Sequence, residues 1–273
     1  MSTILFFIAE HAVAVSALLL FFDMVWVFLV ALYLRDNSII DVAYGLAFIL
    51  VAATTLFNFG EYPLGGVVTL LVSVWGLRLA IRIHERNRGR GEDFRYAAWR
   101  KKWKWFKTRS FFQIFMLQGF IVWLMTLPVV LASSNPAPFL TPVSILGISV
   151  WLVGFFFEAV GDYQLDRFIT KQKTAGDTSG KLMTTGLWSI TRHPNYFGEA
   201  TMWWGIWLVA LPALLSLGWG VVLLTLLFSP VLITFFLLKI SGVPMLEEAM
   251  QKRAGWQEYA ARVSVFVPWF PTQ

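Results

Sequence analysis

Apolar runs about as long as a bilayer is thick, separated by short polar stretches, make up most of this chain. The pattern predicts seven membrane-spanning helices, at about 10–34, 39–58, 64–83, 112–133, 142–161, 199–217 and 219–240. Each is close to the ~20 residues needed to cross the hydrocarbon core. The last two are separated only by "SLGWG", and the first has no basic stretch ahead of it. It therefore reads as a span and not as a cleaved leader. Neither an internal repeat nor a soluble domain is read, so residues 1–273 form one all-α integral membrane domain.

Composition sharpens that picture. The 273 residues are 58% hydrophobic and only 14% charged, against about 25% charged in soluble domains. Fourteen Trp and 25 Phe suit the aromatic belts of a bilayer. The absence of cysteine excludes thiol catalysis, disulfides and Cys-ligated metals. Three histidines make a His-rich metal site a poor expectation, and no metal is assigned.

Charge predicts sidedness. Eleven of the 22 basic residues fall between 82 and 109, and the 161–198 connection and the tail after 240 are also basic. The positive-inside rule makes these segments cytoplasmic. The uncharged 134–141 loop "SNPAPFLT" then lies outside, with the N-terminus outside and the C-terminus inside. A basic, Trp-rich stretch such as "RYAAWRKKWKWFKTR" (95–109) ordinarily lies on anionic lipid.

Several ionisable groups are costly at membrane depth and so are candidates for function. Asp41 begins the second span, and Arg78 lies near the end of the third. Glu158 and Asp162 are four residues apart on one helix face, and Glu199 begins the sixth span. At one membrane level they suggest a shared polar cavity. Glu61, between the second and third spans, falls roughly 30 Å away on the outer side and reads as a loop residue.

The stretch "RHPNYFGE" (192–199) carries the most chemistry. Pro194 extends His193 and can begin a helix. The helix start suits an anion, and Arg192 adds a bidentate cation. Asn195 and Glu199 share a face able to bond a ribose or an amide, and Trp203 follows one turn on with a flat apolar ring. A large amphipathic cofactor fits that order. No G-x-G-x-x-G or G-x-x-x-x-G-K-[ST] motif is present, so a nucleotide would bind among helices. "NRGRGEDFRY" (87–96) offers a second phosphate site, with Arg88 and Arg90 flanking a glycine.

These stretches resemble the steroid 5α-reductase family and its bacterial relatives, from the third span onward. "NRGRGEDFRY" is similar to that family's Asn-Arg-Gly-Arg segment, which carries over Asn87, Arg88 and Arg90. "EAVGDYQL" is similar to a stretch ending in Asp-Tyr, carrying over Asp162, with Glu158 where the steroid enzymes have Asn. "NYFGEATMW" resembles Asn-Phe-Leu-Gly-Glu-x-x-x-Trp and carries over Asn195, Glu199 and Trp203, while Lys181 stands at a basic position. "RHP" resembles the bacterial branch, so Arg192, His193 and Tyr196 join the cofactor set.

The resemblance implies a seven-span fold in a bacterial inner membrane, NADPH as hydride donor, and reduction of a carbon–carbon double bond conjugated to a ketone. Steroid or isoprenoid enones are the implied substrates. The substrate cavity would come mainly from spans in 1–133 and the cofactor part from 84–109 and 158–273. Asp41 lies closest to the family's carboxylic acid and Tyr44 could supply its phenol, because the usual tyrosine position falls near Trp75. A protonated Asp41 would then donate to the ketone oxygen.

A second resemblance stays open. "RHPNYFG" with the later "EEAMQKRAGWQEY" is similar to membrane methyltransferases of the isoprenylcysteine and phospholipid type. It implies S-adenosylmethionine as cofactor, with Glu247, Glu248, Gly255 and Tyr259 at comparable spacing. A non-enzymatic scaffold or transporter is a third reading.

Overall fold

The structure is a computed structural model that describes residues 2–60, 62–177 and 180–271, with side chains from residue 9 onward. Glu61 lies outside the described residues. The chain is all-helical, 80% helix, with no strand among the described residues. Seven helical segments are long and apolar enough to cross a membrane, which makes this a multi-pass membrane protein.

The first six candidate spans are α1 (Ser2–Leu34), α2 (Ile39–Phe59), α3 (Pro63–Asn87), α5 (Phe106–Ser134), α6 (Pro142–Thr174) and α7 (Pro194–Leu217). A short helix, α4 (Phe94–Lys102), precedes α5. The seventh span, Trp219–Met250, is a series of pieces. It comprises α8 (Trp219–Leu226), a π turn at Leu227–Val231, α9 (Leu232–Phe235), a second π turn at Phe236–Ile240 and α10 (Val243–Met250). A last helix, α11 (Trp256–Arg262), follows.

The expected spans hold, but several helices outrun them. The fifth was expected to end near 161, whereas α6 continues to Thr174 and spans 33 residues, roughly 50 Å at 1.5 Å per residue. Its last turns, with Asp166, Arg167, Lys171 and Lys173, exceed the hydrocarbon thickness. Hydropathy marks only the apolar part of a helix, so it misses this extension. Pro194 starts α7 because its missing N–H costs nothing at a helix start.

The chain divides into two compact units. Unit 1 holds 1–145 and 209–229, and unit 2 holds 146–208 and 230–273. In unit 1, α2 packs on α1, α3 and α5, and α5 also packs on α1, α3 and α8. Phe48, Trp75, Phe115 and Met125 are fully buried there. Helices α2 and α3 approach at glycines: a methyl added at Gly45 would lie 2.6 Å from the Gly76 carbonyl oxygen, and one at Gly76 equally close to that of Gly45.

Unit 2 uses the same device along two whole helices. Glycines recur every seven residues in α6 (Gly147, Gly154, Gly161) and in α7 (Gly198, Gly205). Added methyls at Gly205, Gly154 and Gly161 would meet Trp151, Gly198 and Pro194 respectively, within 2.6–3.0 Å. The pairing runs in opposite senses along the two helices, so they are antiparallel. Small residues let transmembrane backbones come this close. The crossing brings Glu158 alongside Gly198, where a methyl would sit 2.4 Å from the Glu158 nitrogen.

Gly198→Ala should therefore overpack a backbone contact and cost about 1–3 kcal/mol. Gly66→Ala, with nothing within 4 Å in helix α3, should be neutral or slightly stabilising. Thermal unfolding in detergent checks both. Equal melting temperatures for Gly198→Ala and Gly66→Ala would show that the close crossing does not matter.

Candidate functional site

Two polar clusters stand out, one in each unit. In unit 1, the loop before α4 folds onto the start of α2. Asp93 caps α4 by accepting from the Arg95 N–H at 3.0 Å, and its own N–H donates to Ser38 Oγ at 3.1 Å. Arg95 bonds Asp93 through Nε at 2.9 Å and reaches Asp41 Oδ2 through Nη2 at 2.8 Å. The Tyr96 hydroxyl donates to Asp41 Oδ1 at 2.6 Å. Glu92 takes a two-point bond from Arg100, at 2.9 and 2.7 Å, and accepts the Asn37 N–H at 3.0 Å. Burial disfavours both carboxylates, but these bonds and charges outweigh it and hold Glu92 and Asp93 below the usual range.

At Asp41 both oxygens are engaged, by a guanidinium and a phenol. The phenol is Tyr96, 2% exposed, from a stretch whose sequence reads only as a phosphate loop. Burial first, then the Asp41 charge and bond, raise the Tyr96 hydroxyl above its ordinary value, so it stays protonated as a donor. Tyr44, the expected phenol, directs its hydroxyl at the Met125 sulfur, 3.7 Å away, with its ring edge-on to Phe48. Trp75, at the position with no O–H, is buried beside the same Phe48.

Asn87 ends α3, and Arg88 and Arg90 lie in the turn that follows. Gly89 and Gly91 take φ of 74° and 71°, values a side chain resists. Arg88 and Arg90 are exposed and make no ion pair among the described residues.

In unit 2, the organising residue is Arg192, 8% exposed. Its Nε bonds Glu247 Oε1 at 2.8 Å, and its Nη1 bonds the carbonyls of Ala260 and Val263 at 2.7 and 2.6 Å. The guanidinium also sits 5.6 Å from the Trp256 ring centre. The Arg192 N–H donates to Ser264 O at 2.8 Å, and Thr191 Oγ1 to Phe266 O at 2.8 Å. Arg192 thus fastens the C-terminal segment to the chain just before α7. The phosphate contact expected of it is not what these bonds describe. Tyr259, expected near the cofactor, donates to the Trp188 carbonyl at 2.6 Å, while Trp188 Nε1 donates to Gly161 O at 3.0 Å. Lys181 is exposed and pairs with Asp177 at 2.7 Å.

His193, 3% exposed, places Nε2 3.2 Å from Glu247 Oε1 and stacks on Tyr196 with ring centres 5.5 Å apart. A carboxylate only accepts, so Nε2 carries the hydrogen and Nδ1 is left as an acceptor. Nδ1 is buried and has no hydrogen-bond partner among the described residues, and the same holds for Asn195 Oδ1. The two orphaned acceptors flank Pro194 at the start of α7. The α6–α7 crossing sets Glu158, 4% exposed, and Asp162, 6% exposed, at this level. Glu199 is half-buried one turn into α7, and Trp203 has no exposed surface. Trp203 therefore packs in the interior and does not present the open ring face expected of it.

Chemically, the cluster is rich in acceptors and poor in free cations. A buried acceptor left without a donor costs about 1–3 kcal/mol, so the site calls for O–H or N–H groups. Sugar hydroxyls and a carboxamide fit it, and a phosphate does not.

The chain matches, over residues 27–263, a family described as a protein of unknown function (DUF1295). It belongs to that family. No curated protein and no solved structure matches it.

The His193 environment makes a pH prediction for this DUF1295 member. Burial, the largest cause, lowers its pKa from 6.5; the bond to and charge of Glu247 oppose this, and the Arg192 charge adds to it. The folded state then binds fewer protons than the unfolded state. The stability is fully present above about pH 6.5 and is lost as pH falls through the lowered value. Thermal unfolding between about pH 7 and pH 5 should show a decline that His193→Gln reduces. An identical decline in both proteins contradicts a neutral His193.

Proposed function

We propose that this protein is an NADPH-dependent membrane reductase acting on the carbon–carbon double bond of an apolar enone, such as a 3-keto-4-ene steroid or an isoprenoid. The reading is supported by the kinship of this membrane family with the steroid 5α-reductases. The orphaned acceptors of His193 and Asn195, beside the buried Glu158 and Asp162, carry it. Glu158, Asp162, Asn195 and Glu199 would hold the nicotinamide and ribose through their O–H and N–H groups. Arg88 and Arg90, exposed around glycines with positive φ, are a phosphate-type site in their own right. When bound, NADPH supplies the hydride.

Reduction places negative charge on the ketone oxygen, and a preorganised donor there is worth ~3–4 kcal/mol. Tyr44 and the Asp41-held Tyr96 are two phenols of unit 1, and Asp41 orients the latter. The membrane is proposed to be a bacterial inner membrane, with the N-terminus outside and the charged segments in the cytoplasm.

One observation favours a second reading. Arg192 and His193 both bond Glu247, which joins the two stretches that resemble membrane methyltransferases. S-adenosylmethionine also offers ribose hydroxyls.

The test is cofactor binding to the purified full chain, read by calorimetry. Asn195→Leu should weaken NADPH at least tenfold, about 1.4 kcal/mol. Tighter binding of S-adenosylmethionine than of NADPH, or NADPH affinity unchanged in Asn195→Leu, rejects the reductase assignment.

A further inference from the structure

The segment 101–109 contains five cations, Lys101, Lys102, Lys104, Lys107 and Arg109, and no acid. The acids just upstream are already engaged. Glu92 holds Arg100, and Asp93 and Asp41 hold Arg95. The four lysines are exposed and form no ion pair among the described residues. Their charge is therefore unopposed by the protein.

The same segment is stiffened by rings. Trp99 and Trp103 stack with centres 5.1 Å apart and planes 6° from parallel. Arg109 lies 5.0 Å over Trp103, and Arg100 lies 4.4 Å over Phe106. Trp105 occupies the left-handed region, φ 56°, which costs a non-glycine residue roughly 1–2 kcal/mol. It does so while 77% exposed, as is Phe94. Phe112, one turn into α5, is 60% exposed. Unopposed cations and exposed rings thus sit together where a membrane-spanning helix begins. A soluble anion accounts for the lysines but not the rings. Lipid headgroups above acyl chains account for both, because aromatic rings settle at the headgroup level and each nearby lysine is drawn to anionic lipid.

We propose that the α4–α5 corner is a docking surface for anionic phospholipid, with Lys101, Lys102, Lys104 and Lys107 binding the headgroup phosphodiesters and Trp105 seated between headgroups. The proposal is independent of the reductase reading, since no residue of that reading takes part.

The test is native mass spectrometry of the full chain in mild detergent, titrated with phosphatidylglycerol or phosphatidylcholine. The wild-type protein is expected to retain phosphatidylglycerol preferentially. Changing all four lysines to Gln should weaken that retention tenfold or more, and changing them to Arg should preserve it. Lys171→Gln with Lys173→Gln, equally basic and exposed on α6, should leave it unchanged. Melting temperatures verify that each variant is folded. Equal retention of the two lipids overturns the proposal, as does an equal loss in the α6 variant. Displacement of phosphatidylglycerol by inorganic phosphate at matched concentration would assign a free-anion site and overturn it too.

Discussion

A polar group buried away from water must find its partners in the protein. The described structure is arranged around that constraint. In unit 1 it is met at Asp41, whose two oxygens are taken by Arg95 and Tyr96 from a single short helix. In unit 2 it is met at Arg192, whose guanidinium is shared among Glu247, two backbone carbonyls and the Trp256 ring. Removing one partner of such a buried pair typically costs 3–5 kcal/mol, because the other charge is left stranded. These residues hold their elements in register.

Glycine spacing decides which groups are buried at the α6–α7 crossing. With Gly154, Gly161, Gly198 and Gly205 at the contact, α6 and α7 approach backbone to backbone, and side chains at the end of the crossing are pressed together. Glu158 and Asp162 are buried as a result, beside the His193 and Asn195 acceptors. A helix pair separated by larger side chains would leave these acids in water. The burial of the cluster is therefore a consequence of packing.

The spans were legible because a run of twenty apolar residues is stable in few places besides a bilayer. Helix ends were less so, since α6 runs on through Asp166 and Lys171 after its apolar face stops. The candidate residues near α7 were also legible as types, from the density of polar groups in "RHPNYFGE". Their partners were not. Arg192 and Glu247 are 55 positions apart, and Tyr96 and Asp41 are also 55 apart, so local pattern carries no trace of either contact. Arg192, expected to meet phosphate, bonds the C-terminal segment, and the phenol beside Asp41 is Tyr96 of α4 where Tyr44 of α2 was expected. One signal was present and went unread: the seven-residue recurrence of glycine at 147, 154 and 161 and at 198 and 205 marks a close helix crossing.

The proposed hydride chemistry on a lipid-soluble substrate rests on the acceptor cluster at the start of α7. The most direct measurement is the fate of the hydride itself. The full chain, reconstituted in vesicles, is supplied with NADPH carrying deuterium at nicotinamide C4 and with a 3-keto-4-ene steroid, and the product is weighed. The account predicts a saturated ketone one mass unit heavier than the product made with unlabelled NADPH. A methylated product formed only with S-adenosylmethionine, and no deuterium in any product, would contradict it.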